Sequence, residues 1–464
     1  MITIDNSITS LSLKPAIERL FELSAAKIKQ IERQSGDSQG APVFTANGVY
    51  TSRGWTEWTQ GFQFGSAILQ FDATDDSAFL EMGRKSTVQS MATHVSHIGV
   101  HDHGFNNIST YGNLLRLMLE KRIPDDTWER KFYEMALKVS GAIQAARWTQ
   151  LPEQAGYIYS FNGPHSLFAD TIRSLRSLAV AHQLGHVLKG ERDQTIDLFR
   201  RLLDHAETTA RYNVYFGKGR DAYDVRGRVV HESIFNMNDG SYRCPSTQQG
   251  YSPFSTWTRG LAWILLGYSE ELEFLETVPS GSFSGGQSKK KVLERFLDCA
   301  TATAEFYIQE SPTDGIPYWD TGAPGLQKMG DYLSRPADPF NDFEPVDSSA
   351  AAIAAQGFLR LGRYIASKGN RKLGQRYLAT GLTIAGTLFG EPYLSANPKH
   401  QGLILHSIYH RPNGWDFVPP KSKIPRGESS MWGDYHAREL GVVLLRTATG
   451  KSPHHFYLTT EGRD

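Results

Sequence analysis

The stretch from Gln248 to Trp263, QQGYSPFSTWTRGLAW, sets Tyr251, Trp257 and Trp263 around Arg259 and a tandem pair of glutamines. Aromatic faces stack on the C–H face of a pyranose, a guanidinium pairs with a carboxylate through two parallel hydrogen bonds, and amides reach hydroxyls. The mix suits a sugar ring that carries a carboxylate, although the same residues would serve as the buried start of a tryptophan-rich helix. Two acidic positions offer chemistry beside it. In His101-Asp102-His103-Gly104-Phe105 a carboxylate stands between two imidazoles ahead of a helix. No third and fourth ligand stands nearby, so a metal site is not expected, and helix capping by Asp102 or Asn106 is the competing role. Asp170, in SLFADTIRSLRSL, lies at an otherwise apolar helix start, where burial would raise its pKa and keep a proton available near neutrality. A first-turn acid favoured by the helix dipole is the plainer account of it. Carboxylates on two helix starts facing one cavity would make an acid/base pair.

The elements that must position these residues are helices. Apolar residues recur at helical spacing in Ile17, Leu20, Leu23 and Ile28, in Leu114, Leu117 and Met118, and in Ile172, Leu175, Leu178 and Val180. Further helices are expected at 58–72, 76–94, 126–147, 191–211, 257–274, 289–309, 347–367, 370–389 and 433–448, roughly twelve in all. Short β-prone pieces, YIYSF at 157–161 and GRVVHESIF at 227–235, read as hairpin loops between them. No Pro-rich or charged linker of domain-boundary quality interrupts the pattern. An all-α toroid of paired helices, one catalytic domain over residues 1–464, is therefore expected. PSGSFSGGQSKKK at 279–291 reads as a flexible surface loop. The long stretches 310–346 and 390–432, rich in Pro, Gly, Trp and Asp, read as ordered functional loops.

Composition narrows the partners. Lys plus Arg and Asp plus Glu both number 49, so no global field draws the chain to nucleic acid or to an anionic membrane, and recognition of an acidic ligand must be local. The two cysteines, Cys244 and Cys299, make neither a disulfide framework nor a metal-ligand spacing and are expected as free thiols. The first twenty residues lack a signal-like pattern and no long apolar run follows, which gives a cytoplasmic expectation.

WTQGF at 58–62, HDHGF at 101–105, Asp170, His231, QGY at 249–251, WTRGLAW at 257–263, DGIPYWD at 314–320, DSSAAAIAA at 347–355 and SSMWGDY at 429–435 occur in the order seen in glycoside hydrolase family 88. On these motifs the chain resembles the unsaturated glucuronyl hydrolases. The resemblance implies an (α/α)6 barrel and removal of the 4-deoxy-4,5-unsaturated uronic acid that polysaccharide lyases leave on oligosaccharides. The implied chemistry is hydration: a carboxylic acid protonates C4 of the enol ether, water adds at C5, and the hemiketal opens and releases the aglycone. Carried over by position, Asp170 is the acid/base and Asp102 the second essential carboxylate. His101, His231, Gln249, Trp257, Arg259 and Trp263 are substrate contacts, with Trp58 a further stacking wall and Phe161 the aromatic preceding Asp170. No metal or organic cofactor is implied. The departures concern specificity: Gln248-Gln249 replaces the family's His-Gln, and HRPNGWDFVPPKSKIPRGE at 410–428 lengthens the chain. The alternatives are an unsaturated rhamnogalacturonyl hydrolase with a different aglycone, a sugar 2-epimerase using two of His101, His103, His231 and His406, and a uronate-binding protein without catalysis. Oligomeric state is not legible.

Overall fold

The computed structural model describes residues 1–34, 40–52, 57–283 and 288–459. In chain order its helices are α1 (Lys14–Gln34), α2 (Gln60–Thr74), α3 (Ser77–Ser90), α4 (Ala92–Val95), α5 (His103–Asn107), α6 (Asn113–Leu119), α7 (Thr127–Ala146) and α8 (Thr171–Ser174). There follow α9 (Arg176–Gln183), α10 (Leu198–Tyr212), α11 (Thr258–Thr277), α12 (Lys289–Glu310), α13 (Ser348–Ser367), α14 (Arg371–Leu388) and α15 (Met431–Ala448). A π-helical turn, Ile108–Gly112, joins α5 to α6, and Leu175 separates α8 from α9.

Two kinds of helix alternate. α11 and α13 are buried nearly all round, as helices lining the inside of a barrel must be. α10 instead buries Leu198, Phe199, Leu202, Leu203 and Ala206 and leaves Arg200 and Arg201 partly exposed. α2, α5–α6, α8–α9, α11, α13 and α15 pack side by side, and α15 returns against α2 to close the ring, with α1, α3, α7, α10, α12 and α14 outside it. This is the (α/α)6 barrel. Each inner helix but α15 is followed by an outer one that carries the chain back, and α1 precedes α2 as the sixth outer helix, so the inner helices run parallel and present their N-termini on one rim. Capping side chains set several starts: Asp76 accepts from Ala78 N, Asp126 from Glu129 N, Asp197 from Phe199 N and Asn370 from Leu373 N. Gly104 shows how tightly the inner rods meet, since a Cβ there would lie 2.3 Å from the Ser174 carbonyl oxygen.

Two expected helices are shorter than their periodicity suggested. The segment 76–94 breaks at Met91 into α3 and α4. The segment 191–211 becomes helical only at Leu198, because Arg192 and Asp193 take left-handed backbone (φ 54° and 58°) and Thr195–Ile196 pairs with Leu188–Lys189 as a hairpin. The β-prone pieces hold their character: Gly156–Ile158 pairs with Trp148–Gln150, and Glu232–Phe235 is the middle strand between Ser166–Phe168 and Tyr242–Ser246. Of the Gly/Ser-rich stretch 279–291, residues 284–287 lie outside the described residues. Among the described residues no helix is long and apolar enough to cross a membrane. At the rim opposite the inner N-termini the C-terminal segment packs inward. Phe456, Tyr457 and Leu458 are buried there, and Gln183 on α9 exchanges hydrogen bonds of 3.0 and 2.9 Å with the Leu458 backbone.

Candidate active site

Asp102 and Asp170 both stand at N-cap positions, before α5 and α8, and neither side chain caps its helix. The capping alternative therefore fails for both. Asp170 Oδ2 lies 3.0 Å from His101 Nε2, which is also 3.8 Å from Asp102 Oδ1. Asp170 Oδ1 lies 3.7 Å from His231 Nε2. The sheet explains the meeting: Phe168 pairs with Glu232, and Ala169 N donates to the His231 carbonyl at 2.8 Å, so the chain enters α8 alongside His231. His231 Nδ1 accepts from the backbone N–H groups of Gln248 and Gln249 at 3.0 and 3.3 Å, which leaves the ring proton on Nε2, facing Asp170. The His101 carbonyl is held by Gln144 Nε2 at 2.8 Å and by Ser174 Oγ at 2.5 Å.

These contacts reverse one expectation. Burial alone would raise the Asp170 carboxyl, but the hydrogen bond and charge of His101, with the His231 N–H facing it at 3.7 Å, hold it well below the usual carboxylate range. It is Asp102 that burial pushes upward; the His101 ring pulls the other way without prevailing, and the Asp170 charge adds to the rise. Burial works against a charged His101, yet Asp102 and the hydrogen bond and charge of Asp170 lift it above its ordinary value. Two neighbouring carboxyls with opposite tendencies, and an imidazole sharing a proton with one of them, form a unit built to hold and move a proton. Donor atoms of His101, Asp102 and Asp170 lie within 4.8 Å of one another, so Asp170 supplies the third donor that the 101–103 segment lacks locally. A cation there would compete with the His101 N–H already directed at Asp170.

The carboxylates open onto a cavity of about 390 Å³ at the N-terminal rim of the inner helices. All the anticipated contact residues line it except His231, which adjoins it through Asp170. Phe161 stacks on His101 with the ring planes at 15°, and Trp257 meets His231 edge-on at 4.7 Å. Trp263 packs on Phe105 at 4.9 Å, while Trp58 stacks on Trp432 at 5.1 Å. Arg259 reaches the cavity from a network of its own. It is 1% exposed, and its guanidinium donates to Asp347 Oδ2, to Gln249 Oε1 and to the carbonyls of Ile408 and Tyr409. These partners fix the fork at the cavity wall. Gln248 also lines the cavity. His103 does not: its ring bonds to Ser140 Oγ and the His97 carbonyl.

Sequence reasoning missed Tyr409, His410 and Trp415, which form a wall of the cavity from the start of the long 410–428 loop. Their signal was the aromatic cluster Tyr409-His410…Trp415, followed by Asp416, whose carboxylate accepts the backbone N–H groups of Tyr409 and His410. It also missed the buried charges behind Trp263, where Arg173 pairs with Glu270 at 3.1 Å and with Glu439 at 2.7 Å.

No family model matches the chain. An unsaturated glucuronyl hydrolase of Formosa agariphila is 24% identical over 386 residues, covering 82% of this chain and 78% of its own. Another, of Bacillus sp. GL1, is 26% identical over 408 residues, covering 85% of this chain and 88% of its own. The crystal structure of the unsaturated glucuronyl hydrolase from Bacillus sp. GL1, described as responsible for glycosaminoglycan degradation, superposes with a TM-score of 0.69 at 22% identity over 95% of this chain and 98% of that one. In sequence over most of its length, and in fold over nearly all of it, the chain resembles the unsaturated glucuronyl hydrolases.

Proposed function

We propose that this protein is an unsaturated uronyl hydrolase that hydrates the C4=C5 enol ether of a non-reducing-end 4-deoxy-unsaturated glucuronic acid on lyase-generated oligosaccharides. The observation that carries the reading is the Asp102–His101–Asp170 unit at the floor of an aromatic-walled cavity. In the resting protein Asp170 is ionised and its proton resides on His101. The pair delivers that proton to C4 as positive charge develops at C5, and the Asp170 carboxylate receives a proton from the water that attacks C5. The C5 hemiketal opens to a ketone, and the hemiacetal left at C1 expels the aglycone alcohol. Asp102, raised toward its neutral form, donates to the sugar without repelling the substrate carboxylate. Trp58, Phe161, Trp257 and Trp263 enclose the ring, and Gln249 meets its polar edge.

The histidines support this reading over a 2-epimerase. His231 has one nitrogen on backbone N–H groups and the other facing Asp170, and His101 is tied to the same carboxylate, so neither stands free as a base beside C2. A binding protein would gain nothing from two carboxyls beside an anionic ligand. We also read residues 1–464 as one catalytic barrel. The free thiols Cys244 and Cys299 support work in a reducing, cytoplasmic setting. The test is incubation with unsaturated disaccharides from polysaccharide-lyase digests while following the ultraviolet absorbance of the conjugated enol-ether carboxylate. Steady loss of absorbance with release of the second sugar is expected. Unchanged absorbance across glucuronyl and galacturonyl digests would refute the proposal.

A further inference from the structure

The end of α7 holds the segment that carries His101 and Asp102. Ser140, Gln144 and Arg147 follow one another at spacings of four and three residues, which puts them on one face of the helix. Ser140 Oγ meets His103 Nδ1 at 3.0 Å, and Gln144 accepts the His103 backbone N–H at 3.3 Å and donates to the His101 carbonyl at 2.8 Å. Arg147, just past the end of α7, takes the next grip: its Nη1 donates to the Ile98 carbonyl. The chain from 98 to 103 is thus pinned at three levels along the helix end. Arg147 also reaches a second segment. Nη2 donates to the carbonyls of Ser160 at 2.8 Å and Tyr159 at 3.2 Å, Nε donates to that of Tyr159 at 3.3 Å, and the guanidinium lies 4.2 Å from the centre of the Tyr159 ring. His97, Gly99 and Val100 on one side of this clamp and Phe161 on the other line the cavity, and Phe161 stacks on His101.

Holding carbonyls does not require a charge, as the Gln144 amide shows. Arg147 is nonetheless a guanidinium at 4% exposure, and among the described residues it forms no ion pair. A buried charge without a close partner is costly unless the field around it offsets the cost. The carboxyl whose charge bears on it is that of Asp102. In return, the Arg147 charge opposes the rise of both Asp102 and His101. The other titratable groups bearing on these three are Asp170, His97, His103, His205 and Tyr159. Burial holds His103 to about 4 and His205 to about 3, so both are neutral near pH 7. Asp102 and Asp170 bring two carboxyls to the site, and a uronate brings a third.

We infer that Arg147 is a positioning residue for the proposed reaction: it clamps the 97–100 segment to the 159–161 segment around His101, and its fixed charge offsets the acidic groups and the anionic sugar gathered there. This rests on the function proposed above, and the experiment separates the two. Arg147→Lys keeps the charge but loses the planar fork that grips two segments at once, whereas Arg147→Gln loses the charge. Both are assayed on an unsaturated glucuronyl disaccharide across pH, and the His101 ring is titrated by NMR without substrate. With Arg147→Lys, KM is expected to rise more than about threefold, while the basic limb of kcat/KM and the His101 titration stay within about 0.3 pH units of the unaltered protein. With Arg147→Gln, KM rises too, and the limb and the titration both move up by more than about half a pH unit, because a positive charge that opposed protonation is gone. Unchanged KM in the lysine variant, or an unmoved limb and titration in the glutamine variant, would overturn the inference. Lowered Tm with unaltered kinetics in the folded fraction would do so as well, leaving Arg147 a purely structural residue. Arg147→Met, whose stem fills the place against Tyr159, replaces Arg147→Gln should that variant fail to fold, and the same upward shift is expected of it. Failure of the unaltered protein to hydrate the disaccharide would refute the functional reading instead, whereas the His101 titration, which needs no substrate, decides the role of the charge by itself.

Discussion

Replacing Asp170 by asparagine changes one atom's chemistry at the centre of the site. The carboxylate now faces two imidazole N–H groups, 3.0 Å from His101 Nε2 and 3.7 Å from His231 Nε2. Asparagine offers one oxygen and one NH2 group, so one of these facings becomes donor against donor. The charge-assisted bond to His101 is worth about 1.5–3 kcal/mol, and its loss removes a main support for the raised His101 proton affinity. The amide neither accepts nor returns a proton at neutral pH, so the general acid–base contribution of about 10²- to 10⁴-fold disappears. That corresponds to about 3–5 kcal/mol of transition-state stabilisation, at ~1.4 kcal/mol per decade. The assay is initial-rate loss of enol-ether absorbance, with thermal melting as the folding control and the His101 ring titrated by NMR. The expected result is a folded protein, kcat/KM down by at least about a hundredfold and the His101 pKa lowered. Retention of more than about a tenth of the unaltered kcat/KM, a loss below ~1.4 kcal/mol, would refute the assignment.

Reaction in D2O should place one deuterium at C4 of the open keto-acid in product quenched within the first turnovers and read by mass spectrometry, with unlabelled product in D2O as the exchange control; an unlabelled early product would exclude hydration. Gly104→Ala should lower both Tm and the activity of the folded fraction, because a Cβ at 2.3 Å from the Ser174 carbonyl pushes α5, and Asp102 before it, away from α8; unchanged melting would show that the rods tolerate separation. Stability should fall as pH drops from about 7 to about 5, because burial holds His94, His103 and His406 down to about 4 and His205 to about 3. Their stabilisation is present above the unfolded histidine pKa of about 6.5 and is lost as the unfolded chain takes up protons below it. Asp314, Asp320 and Asp416, each pushed up to about 6 by burial, act in the opposite sense, as do Asp102 and Glu271, while His436 and His454, held well below their ordinary value by burial, add to the loss. A Tm that held level or rose on acidification, followed by calorimetry, would contradict this balance.

The barrel was legible because its helices must bury one face or all faces, and that requirement writes a period into the sequence. Ile172, Leu175 and Leu178 show it, and each is fully buried. Segment 191–197 misled because its left-handed turn rests on Arg192 and Asp193 rather than on glycine. The site residues were legible as types, but their protonation was not. Reading Asp170 in its apolar context gave burial and hence a raised pKa, whereas the two histidines that reverse the shift come from distant segments. The network around Arg259 was not legible for a related reason: a guanidinium among tryptophans looks the same in sequence whatever holds it. Its partners Asp347, Ile408 and Tyr409 lie far along the chain.

Closure of the ring by α15 against α2 has a consequence for synthesis. The cavity draws on side chains from Trp58 to Trp415, and the last inner rod carries Trp432, which supports Trp58. A chain emerging from the ribosome meets its final interior neighbour only after every other inner rod has been made. Until then the flanks of α2 and α13 that α15 covers are exposed apolar surface, and the site lacks a wall. The nascent protein must therefore pass through an open arc that is both inactive and adhesive. Long-range pairing of the first and last inner rods makes closure a slow, late step. A release that stops short of α15 should yield a chaperone client rather than a weakened enzyme.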